Sequence, residues 1–404
     1  METIGIVVPI DYLSILGGAS QRIKADVAAL IDSGYNVEII FPSRNRQSQK
    51  DPSSGPILLT YPNIQSATLL PEKIRLIFDM YTQMINPFFH SVLRKCYRNY
   101  PVIFAHSHWS VIASYNVVKQ KVPIIYVAHN FEYGLVKQAT HNPLIRSLTY
   151  HIEKSACQKA TMVLCVSEQD RNDLKKAYDI PTEKLALLPN TADTDFFSKT
   201  HDLYDKVTER QRLGIDPSSL VLLFHGRMDY SANLDALKFI TAQLVPGLRH
   251  SSVDVNLVIA GAQIPGWCFD NTNDIISFYS DVPDMRQFLS VADAVIVPLD
   301  IGGGTRLKIL ESFAVGVPVI STAKGAEGIN CQDGYHIVIA QRNADDFIQK
   351  IKMLAEDKSL REKLVNNAYD LVVQEYGIAM AARCLQEAII QAQSQAKRTE
   401  YVQH

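Results

Sequence analysis

Short runs of consecutive apolar residues alternate along the chain with stretches whose apolar residues recur every three or four positions. In the first half the runs are IGIVVP (4–9), NVEIIF (36–41), VIFA (102–105), IIYVA (124–128), MVLCV (162–166) and LALLP (185–189). Between them lies helical spacing such as Ile23, Val27, Leu30 and Ile31. A strand wetted on one face alternates in polarity, whereas one that is apolar at every position is covered on both faces, as in a parallel sheet sandwiched by helices. The second half repeats the rhythm with LVLLF (220–224), VNLVIA (255–260), IISFY (275–279), AVIVP (294–298), VPVIS (317–321) and HIVIA (336–340). The pattern predicts two doubly wound α/β units in series. Residues 190–217, rich in turn formers and charge, carry no strand run, and everything after 343 is helical in spacing. The expected domains are 1–189, 190–375, and a C-terminal helix over 376–404 that packs back on the first.

Residues 72–98 place Ile74, Phe78, Tyr81, Ile85, Phe88 and Val92 on one helical stripe, with Lys73, Arg75, Arg94, Lys95 and Arg98 around it. Pro87 is expected to kink or divide that helix. The segment reads as a core-facing helix with solvated basic ends, or alternatively as a helix lying on a membrane surface.

Composition narrows the function classes. The 404 residues allow two or three domains, and 40 Lys and Arg against 42 Asp and Glu argue against a general nucleic-acid binder. Six cysteines without a CxxC pair argue against a disulfide scaffold or a zinc site. Glu2, Pro9 and Asp11 spoil the opening as a secretion signal, and no segment approaches the ~20 apolar residues of a membrane span. The expected location is cytoplasmic; peripheral contact at the inner face of a membrane through 72–98 is the alternative.

In open α/β sheets ligands bind beyond the carboxyl ends of the strands, so the residues after each run are the candidates. Gly17 and Gly18 follow the first run and open a helix, where backbone amides can approach an anion. His106 and His108 follow the third run and read as structural histidines; their spacing is poor for a metal. His129 follows the fourth and is suited to donate a hydrogen bond to a polar substrate. The richest stretch is ADAVIVPLDIGGGTRLKILESFAVGVPVISTAKGAEG (292–328). Gly302, Gly303 and Gly304 expose amides before a helix, Thr305 is expected as its N-cap, and Arg306 and Lys308 bring positive charge. This reads as a diphosphate cradle. Glu311, three residues after Lys308, is placed to accept hydrogen bonds from a vicinal diol such as ribose; the alternative is a surface ion pair. Arg227, at the end of the 220–224 run, suits bidentate phosphate binding. Asp193 and Asp195 resemble a paired-carboxylate metal motif but read as turn and cap residues.

These segments, in this order, resemble the family-4 glycosyltransferases, retaining enzymes of the GT-B fold. The resemblance rests on the Gly-Gly loop, His129, VSEQDRNDL (166–174), LLPNTADTDFF (187–197), GRMDYSAN (226–233) and GGGTRLKILESFAVGVPVI (302–320). It implies two Rossmann-like domains facing a cleft, with a helical C-terminal tail. It also implies a nucleotide-diphospho-sugar as substrate, no cofactor, no metal, and a glycan, lipid-linked glycan or small-molecule acceptor. By resemblance Arg227 and Lys308 bind the diphosphate, Glu311 the ribose and His129 the transferred sugar, with Gly17 and Gly18 near the diphosphate and Val282 near the base. The expected catalytic residues are His129, Arg227 and Lys308; Gly303, Gly304 and Thr305 complete the donor site. Two positions depart from the family pattern: Gly303 stands where the first Glu of Glu-x7-Glu belongs, and Asn233 replaces a phosphate-binding Lys. Lys308 can place its cation where that Lys would be. The expected reaction is retaining transfer on the front face. The alternatives are a non-catalytic sugar-nucleotide-binding subunit and a GT-B epimerase.

Overall fold

All strand pairings in the described residues are parallel, and the strands fall into two sheets. The computed structural model describes residues 1–9, 12, 18–43, 55–62, 85–270, 272–273 and 275–402. The chain divides into one unit of Met1–Pro189 with Ala381–His404 and a second of Asn190–Met380.

The first unit holds β1 (Thr3–Val7), β2 (Asn36–Ser43), β3 (Ile57–Pro62), β4 (Ile103–Ala105), β5 (Ile124–Val127), β6 (Met162–Cys165) and β7 (Leu185–Leu187). Their order is β3-β2-β1-β4-β5-β6-β7, so the winding reverses between β1 and β4. Ile6 pairs with Ile39 on one side and Phe104 on the other. Every residue of β4, β5 and β6 is buried, which is the demand a two-sided sheet makes of its central strands. The principal helices are α1 (Gly18–Asp32), α2 (Pro87–Cys96), α3 (His108–Val118), α4 (Glu132–Ala139), α5 (Pro143–Lys159) and α6 (Glu168–Tyr178). Cys157 and Cys165 are fully buried in this core.

The second unit repeats the plan with β8 (Leu220–Arg227), β9 (Val255–Ala262), β10 (Ile276–Ser280), β11 (Ala294–Val297), β12 (Val319–Ser321) and β13 (Val338–Ile339). The order β10-β9-β8-β11-β12-β13 puts its reversal between β8 and β11. Its main helices are α7 (Ser231–Phe239), α8 (Leu307–Val315), α9 (Ala344–Glu356) and α10 (Lys358–Glu375); α11 (Ile378–Val402) carries the chain back into the first unit. At the site-bearing end, Gly226 and Gly261 pass so closely that a Cβ on Gly261 would lie 1.9 Å from the Gly226 carbonyl oxygen. Only glycine fits there, and both residues have positive φ.

Within 72–98 the structure describes a helix facing the core with exposed basic residues at its end, and differs from the expected stripe by one residue. Residues 72–84 lie outside the described residues. Pro87 opens α2 as its first residue, where its missing N–H costs nothing, in keeping with a proline that divides helices. Asn86 caps that helix by accepting from Phe88 and Phe89 amides. The buried face is Phe89 and Leu93, so the stripe turns by one residue and Phe88 is 46% exposed. Among the described residues no helix is long and apolar enough to cross a membrane.

Candidate functional site

A parallel sheet puts the carboxyl ends of all its strands on one edge, and the reversal of winding opens a crevice there. In the second unit that edge carries Gly226 and Arg227 from β8, Val282 after β10, and the glycine turn after β11. Gly302 and Gly304 both have positive φ, 103° and 71°. A Cβ on Gly302 would approach the Tyr230 hydroxyl, the Arg306 guanidinium and Ala232 within 3.3 Å, so the turn packs tightly on the start of α7.

The start of α8 differs from expectation. Thr305 is not its N-cap; Arg306 occupies that position without a side-chain cap, and the helix begins at Leu307. The Thr305 hydroxyl is drawn instead to the Gly328 carbonyl at 3.4 Å, while its own carbonyl accepts from the Asn190 amide. Arg306 is buried, with its guanidinium folded back onto the Gly303 carbonyl. Gly303 and Gly304 remain half-buried.

Lys308 reaches back across the reversal to β8. Its Nζ donates to Asn233 Oδ1 at 2.8 Å and lies 4.3 Å from the centre of the Phe224 ring. Asn233 Nδ2 in turn donates to the Arg227 carbonyl at 2.7 Å. The amide that departs from the family pattern and the ammonium of α8 are therefore in contact. Burial, and then the Arg306 charge, push the Lys308 pKa down to about 7, while Glu311 pulls the other way. This cation is held at the edge of its protonated range.

Arg227 projects with its fork on its neighbour Asp229, Nε to Oδ1 at 3.0 Å and Nη2 to Oδ2 at 2.5 Å. Glu311 is buried, with Oε2 3.8 Å from His225 Nδ1. Burial and the Lys308 charge push His225 down to about 3, so it is neutral. Val282 packs partly buried on the core of the second unit, its amide donating to the Gly261 carbonyl at 3.2 Å. The second unit thus gathers Arg227, Lys308, Glu311, Gly302–Gly304 and Val282 at one sheet edge.

In the first unit His129 follows β5. Its Nε2 lies 3.3 Å from His106 Nδ1, and burial with the Arg22 charge pushes its pKa down to about 3. His108 opens α3 and packs on Trp109. The backbone after His129 is clamped by two acids that the sequence did not single out. Phe131 N donates to Asp170 Oδ1 at 3.1 Å; Glu132 N and Tyr133 N donate to the two Glu153 oxygens at 2.9 Å each. Glu153 also accepts from the Tyr178 hydroxyl at 2.6 Å, and burial raises its pKa to about 7. The clue available in the sequence was a lone Glu among Ile152, Ala156 and Cys157 on the apolar face of α5. Gly17 lies outside the described residues, and Gly18 is the first residue of α1.

Asp193 caps a short helix, accepting from Phe196 N at 2.9 Å. Among the described residues no group of three or more His, Cys, Asp and Glu side chains is placed to hold a metal ion.

Comparison with known proteins bears on both units. The glycosyltransferase family 4 model matches residues 16–196, and the model for glycosyl transferases group 1 matches 219–357. The D-inositol 3-phosphate glycosyltransferase of Actinosynnema mirum is 26% identical over 286 residues, 65% of this chain and 66% of the relative, just under two thirds of its length. Sucrose-phosphate synthase from Thermosynechococcus elongatus superimposes with a TM-score of 0.75 at 17% identity, over 97% of this chain and 99% of the other. Anabaena HepE, solved in complex with UDP, superimposes with a TM-score of 0.69 at 13% identity, over 96% and 99%. With a family model on each half and two Rossmann-like units of the GT-B type, the chain belongs to the family-4 glycosyltransferases.

Proposed function

We propose that the chain transfers a hexose from a nucleotide-diphospho-sugar to a hydroxyl of a glycan, lipid-linked glycan or small acceptor, with retention and without a metal ion. One observation carries this reading: the Lys308 ammonium, on the helix that follows the Gly302–Gly304 turn, reaches the winding reversal of the second sheet and bonds Asn233, whose amide bonds the Arg227 carbonyl. Such a grouping has a partner to gain in an anion, and diphosphate is the anion that helix starts and glycine turns hold at this place in α/β sheets. The UDP bound to Anabaena HepE supports the same choice.

Transfer breaks the bond between the anomeric carbon and the diphosphate oxygen, leaving positive charge on the sugar and negative charge on the leaving group. Lys308, Arg227 and the amides of 303–305 stabilise the departing diphosphate; groups already aimed at developing charge need no reorganisation. The acceptor oxygen bonds to the anomeric carbon on the face the diphosphate leaves, and its proton passes to a leaving phosphate oxygen. Glu311 is assigned the ribose hydroxyls, Val282 the base and His129 the sugar. Where relatives use a carboxylate on the sugar, Gly303 offers only backbone.

The test is release of nucleoside diphosphate from UDP-, GDP- and ADP-sugars, with and without a panel of acceptors, in chelator. Acceptor-dependent release with an unchanged anomeric configuration in the product supports the reading. Gly303 favours a second reading, a sugar-nucleotide-binding subunit without transfer. Saturable donor binding with no release in any combination would establish that second reading instead.

A further inference from the structure

Four polar side chains of the first unit form a line that ends on His129. Arg22 and Asp26 lie four residues apart on α1, hence on one helical face. Both are 1% exposed, and Arg22 Nε donates to Asp26 Oδ2 at 2.8 Å. Arg22 Nη2 donates to the Leu188 carbonyl at 2.8 Å, just past β7, which fixes the guanidinium from a second side. The same Asp26 Oδ2 stands 3.9 Å from His106 Nε2, and His106 Nδ1 stands 3.3 Å from His129 Nε2. His106 is 2% exposed, and among the described residues its Nε2 finds no hydrogen-bond partner.

We propose that Asp26 and His106 are positioning residues for His129. In this arrangement the Asp26 carboxylate holds His106 in the tautomer protonated at Nε2, and His106 Nδ1 accepts the Nε2–H of His129. His129 then presents an unprotonated Nδ1 as a hydrogen-bond acceptor. A neutral imidazole carries one N–H, so a contact between two neutral rings allows two arrangements. In the first, His106 Nδ1–H donates to His129. This turns the His106 Nε2 lone pair toward a carboxylate oxygen inside the protein, where repulsion is poorly screened. In the second, His106 turns its N–H dipole toward that carboxylate, and both rings are protonated at Nε2. Asp26 favours the second. Burial and neighbouring positive charge keep both rings neutral, as one N–H per ring requires.

The consequence reverses the role expected for His129 in the sequence. It accepts from a hydroxyl of the bound sugar and does not donate to it. This consequence rests on the assignment of His129 to the sugar; the tautomers themselves do not. A donor whose contacted hydroxyl is replaced by fluorine keeps an acceptor but has no proton to give, so it should be used as poorly as the deoxy sugar.

The experiment is long-range 1H–15N correlation on the full chain labelled with 15N-histidine, at neutral pH, with His129 assigned by His129→Gln. Both His106 and His129 are expected to show a protonated Nε2 and a bare Nδ1. In Asp26→Asn the charge that selects the tautomer is gone, and both rings should gain an Nδ1-protonated population. If that variant fails to fold, His106→Gln serves, because its amide can accept or donate and should leave His129 in mixed tautomers. A wild-type His129 protonated at Nδ1 would overturn the proposal, as would an Nε2-protonated His129 unchanged in whichever variant folds. If the tautomers are as stated but His129→Gln transfers sugar at the wild-type rate, the line stands and the assignment of His129 to the sugar fails.

Discussion

Replacing Lys308 by Met keeps most of the side chain's length and removes its charge, and the consequences can be worked out in advance. In the free protein the pKa of Lys308 is near 7, lowered chiefly by burial, with Asn233 Oδ1 as its hydrogen-bond acceptor. A diphosphate beside Nζ favours the protonated form and raises that pKa again. At pH 8 about nine-tenths of the free protein has a neutral Lys308, so binding a nucleoside diphosphate should take up about 0.9 proton. The apparent Kd should be flat below pH 7 and rise about tenfold per pH unit above it. At pH 6 the Met variant loses one charge-assisted hydrogen bond, ~1.5–3 kcal/mol, or roughly 10- to 150-fold in Kd. Its affinity should not follow this pH curve, so the gap to wild type shrinks about tenfold by pH 8. Stability follows the same linkage. Between pH 7 and 10.5 the unfolded chain holds a proton that the folded one has lost, so wild-type stability rises with pH across that window and the variant lacks the slope. Calorimetry in two buffers of different ionisation enthalpy counts the protons. No uptake at pH 8, or equal uptake in the Met variant, would refute the reasoning.

Glu311→Ala should lower turnover at least tenfold, equivalent to about 1.4 kcal/mol, in a nucleoside diphosphate release assay, with circular dichroism confirming an intact fold. Asp229→Asn should tighten diphosphate binding two- to fivefold in calorimetry, because the phosphate no longer competes for the Arg227 fork against an exposed pair worth about 0.5–1 kcal/mol. Glu153→Gln sets an NH2 against donors that now meet a carboxylate, and should cost about 1–3 kcal/mol for each one stranded, read as a lower urea midpoint. An unchanged midpoint would mean that those amides find other partners.

The sheets were legible because their central strands are buried on both faces, which forces runs such as IIYV and AVIV that no amphipathic helix needs. β3 was not. As an edge strand paired only with β2 it is half exposed, and ILLTYP carries a weaker run. The winding reversal between β8 and β11 explains why GRMDYSAN and GGGTRLK, far apart in sequence, could be read as one site. What lay beyond the sequence was contact at a distance. Nothing in Asn233 or Lys308 alone says that they touch, and nothing in Asp26 says that it faces His106. Local rules failed where a tertiary partner competed: Thr305 reads as a cap until Gly328, 23 residues on, takes its hydroxyl. Pro87 leaves a kink and a helix start open until Asn86 is seen capping the helix it begins.

The central claim is that the turn and α8 at the second sheet's winding reversal hold the diphosphate of a sugar nucleotide. A crystal structure of the chain with the nucleoside diphosphate that stabilises it best tests this directly. Phosphate oxygens are expected within hydrogen-bond distance of Lys308 Nζ and of the amides at 303–305, with the ribose on Glu311. A nucleotide bound elsewhere, with Lys308 still on Asn233 and no phosphate near the glycine turn, would contradict it.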